Sequence, residues 1–407
     1  MKCRFCQFEL QHLFLDLGSA PPSNAFLTPE ALNAPELFYP LKLFTCHNCF
    51  LVQIDELQSH TSLFAPDYAY FSSFSSTWLA HAERYVTLAI DRLGLTRESL
   101  VVEIASNDGY LLQYVAARDI ACIGIEPTAS TARAAREKGI ETIEHFFGCN
   151  FATEFVQSRR QADLIIANNV LAHVPDLNDF VAGLALALAP KGTITVEFPH
   201  LQSLVEHRQF DTVYHEHFSY FSFSTVQRVF AAQGLRIWDV EHLPTHGGSL
   251  RIWAAHAASS HSSTRSVSDL VAEEQDIGMG DIGYYRHFQS LADQVKNDFL
   301  AFLLEQKRAG RKVAGYGAAA KGNTLLNYAG VRPDLLPFVV DASPHKKGRF
   351  LPGAHIPVVD ENQLREYQPE FVIILPWNLK GEITEHLAYI REWGGKFVTA
   401  VPKLEVS

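Results

Sequence analysis

The sequence lacks the features of a membrane-spanning protein and of a broadly nucleic-acid-binding protein. No stretch reaches the roughly 18 to 20 consecutive apolar residues that a membrane helix needs. Acidic residues outnumber basic ones, 45 to 34, and the formal net charge is −11. This charge disfavours nucleic acids and anionic membranes as partners but permits a local phosphate pocket. Residues 1–6 contain no signal-peptide core, so we expect a cytoplasmic protein with reduced cysteines.

Length and composition indicate a globular chain with several domains. The chain has 407 residues, of which 47% are hydrophobic and 19% charged, so it can bury real cores. At roughly 150 residues per domain, two or three domains are expected. The motifs below predict an α/β protein divided into residues 1–75, 76–260 and 261–407.

Four of the six cysteines form two Cys-x-x-Cys pairs in the first 50 residues, and these are Cys3, Cys6, Cys46 and Cys49. Two such knuckles place four thiolates so that they can close a tetrahedron around zinc. A complete set of four protein ligands predicts a structural metal in a small N-terminal zinc domain. A nucleic-acid-binding zinc finger is the rival interpretation, but Lys42 is the only Lys or Arg between the knuckles.

Residues 100–199 alternate buried strands with helices. Predicted strands are 100–104, 121–125, 163–167 and 193–198, which implies a doubly wound parallel sheet covered on both faces. Two further β-rich runs, 235–240 and 249–254, have a connection too short for a crossover helix and are therefore antiparallel neighbours. A parallel sheet that ends in an antiparallel pair is typical of class I methyltransferases.

The last third of the chain predicts a second α/β unit. Residues 256–281 are rich in serine, histidine and acidic side chains and are predicted to be a linker or exposed loop. Apolar residues then recur at helical spacing from 284 to 302, which predicts a long amphipathic helix that packs on a core. Strands at 311–315, 338–341 and 371–375, with a helix at 323–328, indicate a Rossmann-like domain.

The loop after the first strand of the methyltransferase-like unit is a candidate cofactor site, because ligands bind at this edge of a doubly wound sheet. The loop has only one glycine of a Gly-x-Gly-x-x-Gly fingerprint. A carboxylate at the tip of the second strand can accept hydrogen bonds from both hydroxyls of a ribose. A NAD site fits this pattern equally well, and helix capping is the structural alternative. The candidate residues are Glu103, Ser106, Asn107, Gly109, Glu126, Asn168 and Asn169.

A cluster of titratable and aromatic residues follows the strand at 193–198. It contains Tyr214, His215, Glu216 and His217. A neutral imidazole is an effective base near neutral pH, so the cluster suits proton abstraction. A metal site would need a third ligand and lacks the His-Glu-x-x-His spacing, and histidines with a purely structural role are the other alternative.

Together these motifs resemble the zinc-containing, S-adenosylmethionine-dependent sugar C-methyltransferases of deoxysugar biosynthesis. The resemblance covers nearly the whole chain. It is most specific in the cysteine knuckles, in Glu-Ile-Ala-Ser-Asn-Asp-Gly-Tyr at 103–110, in Tyr-His-Glu-His-Phe-Ser-Tyr at 214–220 and in Gly-Tyr-Gly-Ala-Ala-Ala-Lys-Gly at 315–322. It implies methyl transfer to C-3 of a nucleotide-linked 4-keto-6-deoxyhexose by a monomeric enzyme.

The resemblance also implies roles for individual residues. His217 corresponds to the family's base, and Tyr214 and Glu216 match positions that line the substrate site; we assign the neighbouring His215 to substrate binding. A tyrosine before the methyltransferase unit also enters this pocket, and it corresponds to Tyr70, with Tyr68 as the second choice. The C-4 ketone acidifies the C-3 proton, so removal of that proton would give an enolate that attacks the methyl group.

The late glycine loop is predicted to hold the nucleotide half of the substrate. Gly315 and Gly317 follow a strand, so free backbone N–H groups would face a diphosphate, and Lys321 adds a positive charge one turn later. Asp341, at the end of the next strand, is placed to accept a ribose hydroxyl. A dinucleotide site and glycines needed only for close packing are the alternatives. For the whole protein, an NAD-dependent nucleotide-sugar oxidoreductase and a non-catalytic, zinc-stabilised binding protein are the competing interpretations.

Overall fold

The computed structural model describes residues 1–55 and 71–407. Tyr68 and Tyr70, which the sequence assigns to the substrate site, lie outside these residues. No helix in residues 1–55 and 71–407 has both the length and the apolar character of a membrane span.

The N-terminal segment forms a small antiparallel sheet. Its strands are β1 (His12–Ala20), β2 (Tyr39–Thr45) and β3 (Val52–Ile54). One cysteine pair precedes β1 and the other lies between β2 and β3, so the fold brings both ends of this segment together.

The middle of the chain alternates strands and helices, as the sequence predicts. Its elements are α1 (Ser76–Leu93), β4 (Leu100–Ile104), α2 (Leu112–Ala116), β5 (Ala121–Ile125), α3 (Ala129–Glu137), β6 (Thr142–Ile143), α4 (Cys149–Ser158), β7 (Ala162–Asn168), α5 (Leu177–Ala187), β8 (Leu188–Pro199), α6 (Leu201–Glu206), β9 (Ser219–Tyr220), α7 (Phe223–Ala232), β10 (Leu235–Leu243) and β11 (Ser249–His256).

The seven-stranded sheet has the order β10-β11-β8-β7-β4-β5-β6. Strands β4 to β8 are parallel, whereas β11 is antiparallel to both β8 and β10. This arrangement confirms the predicted parallel sheet with an antiparallel end pair. Strand β9 does not join this sheet but pairs with β3 of the N-terminal sheet, in the order β1-β2-β3-β9.

The last third of the chain contains a six-stranded sheet with the order β14-β13-β12-β15-β16-β17. Pairing is parallel except between β16 and β17. The elements are α8 (Arg265–Asp276), α9 (Ile282–Tyr285), α10 (Phe288–Arg308), β12 (Val313–Tyr316), α11 (Ala320–Tyr328), β13 (Val339–Val340), β14 (Val358–Val359), α12 (Asn362–Tyr367), β15 (Phe371–Ile374), α13 (Lys380–His386), β16 (Lys396–Thr399) and β17 (Glu405–Val406).

The prediction that residues 256–281 form a linker or exposed loop is wrong for the part that forms α8. The composition of this stretch is polar, but Val267, Leu270 and Glu274 recur at helical spacing and are buried. Val267 and Leu270 pack in the core of the seven-stranded sheet. Three buried positions on one face were enough to fix the helix, although the average composition of the stretch suggested exposure.

The three sheets share hydrophobic cores. Cys3 and Cys46 pack in the same core as β4 and β7 of the seven-stranded sheet. Phe14 of β1 stacks on Phe288 of α10 with ring centroids 4.8 Å apart, in a second core that extends to the last α/β unit. The N-terminal sheet therefore packs against both larger units and fixes how they meet.

A buried carboxylate connects α8 to α7. Glu274 is 1% exposed, and its oxygens accept hydrogen bonds from the Phe223 N–H (2.6 Å), the Ser224 N–H (2.8 Å), the Ser224 hydroxyl (2.6 Å) and His200 Nε2 (2.8 Å). Burial raises the pKa of this carboxyl, but the hydrogen bonds from His200 and Ser224 outweigh burial and hold the pKa below its usual value. The ionised form is therefore fully partnered.

We expect Glu274→Ala to lower the free energy of unfolding by about 3 kcal/mol, because it leaves several buried donors without an acceptor. Urea unfolding at neutral pH measures the change. Gln275→Ala is the matched control, since Gln275 is the next residue of the same helix and is exposed. Equal stability losses in the two variants would contradict the structural role of Glu274.

Candidate active site

The four cysteines of the N-terminal segment form one cluster. Their sulfur atoms all lie within 4.8 Å of one another, and the Cys3–Cys49 and Cys6–Cys46 sulfur pairs are each 3.5 Å apart. Sulfurs that share one tetrahedral zinc ion at about 2.3 Å lie about 3.8 Å from each other. The cluster therefore fits a closed, structural metal site.

The two cysteine pairs lie in equivalent turns. The Gln7 N–H donates to the Cys3 carbonyl at 2.9 Å, and the Phe50 N–H donates to the Cys46 carbonyl at 2.7 Å. Gln7 and Phe50 both have left-handed backbones, with φ of 61° and 62°. Both pairs thus adopt the same turn, and the four sulfur atoms lie close together.

The predicted cofactor residues converge at the carboxyl ends of three neighbouring parallel strands. Glu103 lies in β4, Glu126 follows β5 directly, and β7 ends at Asn168. Strand β4 lies between the other two in the sheet. The fold therefore brings together side chains that are up to 65 residues apart in the sequence.

Several buried polar atoms at this edge have no hydrogen-bond partner among the described residues. They are Glu103 Oε2, Ser106 Oγ, Asn168 Oδ1, and both side-chain polar atoms of Asn169. Burial also raises the pKa of Glu103 well above its usual value. Unpartnered buried polar atoms are rare and costly, so the edge has the chemistry to receive a polar ligand such as an adenosine cofactor.

The loop between β4 and α2 is tied to the tip of β5. The Asn107 N–H donates to Glu126 Oε2 at 3.0 Å, and the Thr128 N–H donates to Oε1 at 2.9 Å. Gly109 has a φ of 74°, and a Cβ there would lie 3.2 Å from Ile140 Cγ1 and 3.4 Å from Ala135 Cβ in α3. The left-handed backbone and this close approach both favour glycine. Asn107 of this loop and Glu126 after β5 therefore lie together at the carboxyl ends of β4, β5 and β7, which we call the cofactor edge.

Contacts from all three units hold the segment 211–217, which we call the base loop. The chain directly after it forms β9, which pairs with β3 of the N-terminal sheet. From the last unit, Thr324 Oγ1 donates to the Val213 carbonyl at 2.8 Å, and Trp377 Nε1 donates to Asp211 Oδ2 at 2.7 Å. All three units therefore contribute contacts that hold the base loop in place.

His217 lies half-buried in an aromatic cluster within the base loop. Its ring centroid is 4.1 Å from that of Tyr214, 4.6 Å from that of His173 and 6.0 Å from that of Tyr220. Its Nδ1 lies 3.1 Å from the Thr212 carbonyl oxygen. A carbonyl only accepts hydrogen bonds, so Nδ1 carries the proton and the lone pair of Nε2 is left to act as a base.

Desolvation keeps the imidazole of His217 neutral. Burial lowers its pKa well below the usual value, and the neighbouring His173, His246 and Lys321 side chains lower it further, against a hydrogen bond to Thr212 that raises it. Burial likewise lowers the pKa of His173 to about 4. Both rings are therefore neutral at physiological pH, as a general base must be before it takes a proton.

Glu216 and His215 point to different surroundings. Glu216 is 3% exposed, and Asn24 Nδ2 donates to its two oxygens at 2.9 and 3.0 Å. His215 Nε2 lies 3.2 Å from the carbonyl oxygen of Tyr39 in β2, and burial lowers the pKa of His215. His215 thus connects the base loop to the N-terminal sheet, whereas Glu216 faces the cavity described below.

The loop after β7 joins the cofactor edge to the base. The Phe218 N–H donates to the Ala172 carbonyl at 2.7 Å, and His173 Nδ1 donates to the Glu216 carbonyl at 2.8 Å. This loop begins directly after Asn168 and Asn169 at the end of β7. The base loop is therefore hydrogen-bonded to the segment that follows the cofactor edge.

A cavity of about 1410 Å³ lies where the three units meet. Among the described residues of the base loop, Glu216 lines this cavity, whereas His217 is not part of its wall. The walls combine aromatic and basic side chains, and they include Asn24, Phe26, Phe71, Trp78, His81, Arg84, Glu216, His246, Tyr316, Gly317, Asp341, Lys346 and Arg349.

The glycine loop of the last unit differs from its prediction, because its backbone N–H groups are not free. Gly315 and Gly317 donate to the carbonyls of Phe338 and Val340, at 3.0 and 2.7 Å. The Ala318 N–H donates to Asp341 Oδ2 at 2.7 Å. Such a loop cannot cradle a phosphate through these amides.

The loop's remaining predicted residues are placed as follows. Asp341 also accepts from the Ser343 N–H at 2.8 Å, so both of its oxygens hold the backbone of its own domain. A Cβ at Gly315 would lie 2.8 Å from Val339 Cγ2, which makes this glycine a packing position. Gly317 and Asp341 still line the cavity, whereas Lys321 points toward Asn378 and Trp377.

Sequence reasoning missed several residues of the site. His173 lies five residues after β7 ends, and Asn24 comes from an irregular stretch of the N-terminal segment; a histidine close to a strand end was the available signal for the first. His246, in the connection between β10 and β11, lines the cavity and packs on Trp78 with ring centroids 5.3 Å apart. No local pattern marks Asn24, because its partner Glu216 is 192 residues away.

The connection that carries His246 is held by a buried ion network. Glu197 accepts hydrogen bonds from Arg251 at 2.9 Å, from His81 at 2.8 Å and from the Thr245 hydroxyl at 2.7 Å. Burial raises the pKa of Glu197, but these partners outweigh it and lower the pKa on balance. The network fixes the connection at the carboxyl edge of the sheet.

Family models match almost the whole chain. A model described as a zinc binding domain matches residues 3–64, one described as a methyltransferase domain matches residues 78–240, and one described as a C-methyltransferase C-terminal domain matches residues 244–402. The order of the three matches agrees with the order of the three sheets.

A curated relative and solved structures are also similar to this chain. The C-methyltransferase NovU of Streptomyces niveus is 32% identical over 405 residues, which cover 100% of this chain and 96% of that protein.

Among solved structures, magnesium protoporphyrin IX methyltransferase of Synechocystis PCC 6803 with bound SAM is 14% identical, with 44% of this chain and 81% of that chain covered and a TM-score of 0.34. The PH0226 protein of Pyrococcus horikoshii OT3 is 14% identical, with 46% and 95% covered and a TM-score of 0.37. These structural scores are too low to add to the sequence matches. On those matches, the chain belongs to the family of S-adenosylmethionine-dependent C-methyltransferases that carry an N-terminal zinc-binding domain.

Proposed function

We propose that this protein methylates C-3 of a nucleotide-linked 4-keto-6-deoxyhexose, with His217 as the base that removes the C-3 proton. The observation that carries the proposal is the position of a neutral, tautomer-fixed imidazole one loop away from the cofactor edge. C-methylation needs a carbon nucleophile, and a base next to a ketone-activated C–H bond generates one.

The cofactor edge supports S-adenosylmethionine as the methyl donor. Glu126 would hold the ribose hydroxyls. Asn168 and Asn169, several of whose side-chain atoms lack partners among the described residues, would hold the remaining polar groups together with the loop at Asn107. When bound, this cofactor supplies an electrophilic methyl group on a positively charged sulfur, to which a carbon nucleophile can bond as the sulfur leaves with the electron pair.

The proton transfer is assigned to Nε2 of His217. Its Nδ1–H bond to the Thr212 carbonyl fixes the ring orientation and also stabilises the imidazolium that forms. As the proton leaves C-3, the electron pair of the C–H bond forms a C=C bond and negative charge develops on the C-4 oxygen. We assign Tyr214, whose ring contacts His217, to a hydrogen bond with that oxygen.

The large cavity is assigned to the nucleotide diphosphate. Its volume suits a ligand larger than a free sugar. Its aromatic side chains can pack on a nucleobase, and its basic side chains can bind a diphosphate. Lys346 and Arg349 would face the phosphates, and Glu216 would face the sugar. The overall charge of −11 makes these basic side chains a local exception.

The decisive experiment is mass spectrometry on a panel of TDP-, CDP- and GDP-linked 4-keto-6-deoxy sugars, each incubated with S-adenosylmethionine in deuterated water. We expect the mass of one substrate to increase by one CH2 unit, with fragmentation that places the methyl group at C-3. Solvent deuterium should also enter C-3 when S-adenosylhomocysteine replaces the donor. No gain and no exchange with any sugar in the panel would refute the proposal.

We expect His217→Asn to lower kcat by about 10² to 10⁴, because general-base assistance of that size is lost. Its dissociation constant for S-adenosylhomocysteine, measured by calorimetry, should stay within about twofold of wild type, since His217 is not at the cofactor edge. Glu126→Gln is the matched variant and should weaken S-adenosylhomocysteine binding about tenfold. Near-normal turnover of His217→Asn would remove the base from the mechanism.

Glu216 should make stability depend on pH. Burial raises its pKa to about 7 despite the hydrogen bonds from Asn24, so between about pH 4.3 and 7 the folded protein holds a proton that the unfolded chain releases. Stability is therefore lost as pH rises through this interval. The free energy of unfolding of wild type should fall between pH 5 and pH 8. In Glu216→Gln we expect this fall to be smaller by up to about 3 kcal/mol.

Urea unfolding at the two pH values measures the effect of Glu216. Glu366→Gln is the control, because Glu366 is exposed and should leave the wild-type dependence unchanged. An identical loss for Glu216→Gln and wild type would show that the buried carboxyl does not titrate in this range.

Cys46→Ser should abolish binding of about one equivalent of zinc, measured by elemental mass spectrometry, because three thiolates cannot close the tetrahedron. We also expect it to lower turnover, since the base loop is anchored to the N-terminal sheet through β9 and β3. Cys149→Ser, outside the cluster, should keep the zinc. Full zinc content in Cys46→Ser would exclude Cys46 as a ligand.

A further inference from the structure

The side chain of Lys321 contacts the segment that follows β15 instead of the glycine loop that precedes it. Its Nζ donates to Asn378 Oδ1 at 2.7 Å and lies 4.5 Å from the centroid of the Trp377 ring. The indole N–H of Trp377 donates to Asp211, the first residue of the base loop. Lys321 of the last unit and Asp211 of the middle unit thus contact the same indole.

The titratable groups that interact with Lys321 include His217, the proposed base, and His246, which lines the cavity. The positive charge of Lys321 lowers the pKa of His217 and of His246. Burial lowers the pKa of Lys321 itself to about 8, which Asp211 opposes, and burial raises the pKa of Asp211 to about 6. His173 also faces His217, and Glu197 and His81 face His246. Lys321 is therefore the strongly basic side chain among these neighbours.

Asp211 accounts for a cation at this position only in part, because its charge raises the pKa of Lys321 while burial still lowers that pKa to about 8. Asp211 is fully buried, and its Oδ1 has no partner among the described residues, so Lys321 does not neutralise it through a direct hydrogen bond. An apolar side chain of the same length would fill the space beside Trp377 at a lower desolvation cost. Asn378, which accepts the hydrogen bond from Lys321, lines the cavity. A desolvated cation at this place is suited to a negative charge that appears during the reaction.

We propose that Lys321 is a further functional residue of this reaction, which provides positive charge to the base loop and stabilises the negative charge that develops on the C-4 oxygen of the sugar. The proposal rests on the proposed function. The C-3 proton moves to His217 Nε2, the C–H electron pair forms the C=C bond, and the carbonyl π pair becomes a lone pair on oxygen. Lys321 transfers no proton in this step, and the carbonyl reforms when C-3 gains the methyl group.

The role differs from the diphosphate contact that the sequence suggested for Lys321. A diphosphate ligand would need Lys321 mainly for binding, so its loss would raise KM. A cation that acts on the enolate would be needed mainly in the transition state, so its loss would lower kcat. The two roles therefore predict different kinetic changes in the same variant.

The test compares Lys321→Met and Lys321→Arg with wild type. We expect Lys321→Met to lower kcat and the rate of C-3 deuterium exchange, measured with S-adenosylhomocysteine present, by about 10²-fold, with KM within about threefold. Lys321→Arg, which keeps the charge, should recover at least about tenfold of that loss. Lys380→Met is the control, because Lys380 pairs with Glu405 outside the site, and it should behave as wild type.

The pH profile provides a readout that a purely structural role would not change. Without the neighbouring cation the pKa of His217 rises, so the acid limb of kcat/KM in Lys321→Met should move to higher pH, and in Lys321→Arg it should stay near the wild-type position. Titration of labelled histidine by NMR measures the same shift without turnover. Thermal unfolding of each variant checks that it is folded; if Lys321→Met is not, Lys321→Gln replaces it.

The outcomes separate the two proposals. If wild type exchanges and methylates but Lys321→Met has a normal exchange rate and an unmoved acid limb, the role of Lys321 is overturned while the proposed function stands. An increase in KM alone would assign Lys321 to substrate binding and would also overturn the role. If wild type neither exchanges nor methylates, the proposed function fails and the role of Lys321 fails with it.

Discussion

The active site depends on one segment, the base loop, that no single unit of the protein can hold. Strand β9 is bound by the N-terminal sheet, the Val213 carbonyl by a threonine of α11, and Asp211 by the indole of Trp377. The loop's other neighbour, the turn at 171–173, extends from the edge of the seven-stranded sheet. A loop with these polar groups can be buried only where each group finds a partner, and assembly of the three units provides those partners.

Desolvation is the common physical cause of the unusual charge states in this region. It lowers the pKa of His217 and of Lys321 and raises the pKa of Glu216 and of Asp211. Each shift favours the neutral form of its group. The shift keeps His217 uncharged at neutral pH, whereas Lys321, with a pKa of about 8, remains a cation. A site of this kind responds strongly to charge that forms during a reaction, because little water is present to screen it.

Much of the fold was predictable because local patterns and the global structure agree. The cysteine spacing, the alternation of strands and helices and the short connection before β11 were sufficient for the zinc domain, the parallel sheet and its antiparallel end pair. The failures have physical reasons. Helix α8 is polar on average and is fixed by three buried positions, and the amides of the late glycine loop are satisfied by strand neighbours and by Asp341.

The sequence by itself determined which chemical groups are available: four thiols in two knuckles, polar residues at strand ends and a histidine in an aromatic block. Only the tertiary structure decided how those groups face one another. Asn24 reaches Glu216 across 192 positions, and Lys321 contacts Asn378 and Trp377 rather than its own loop. Such pairings leave no local periodicity in the chain, because they depend on where the surfaces of three units touch and not on which residues are neighbours in sequence.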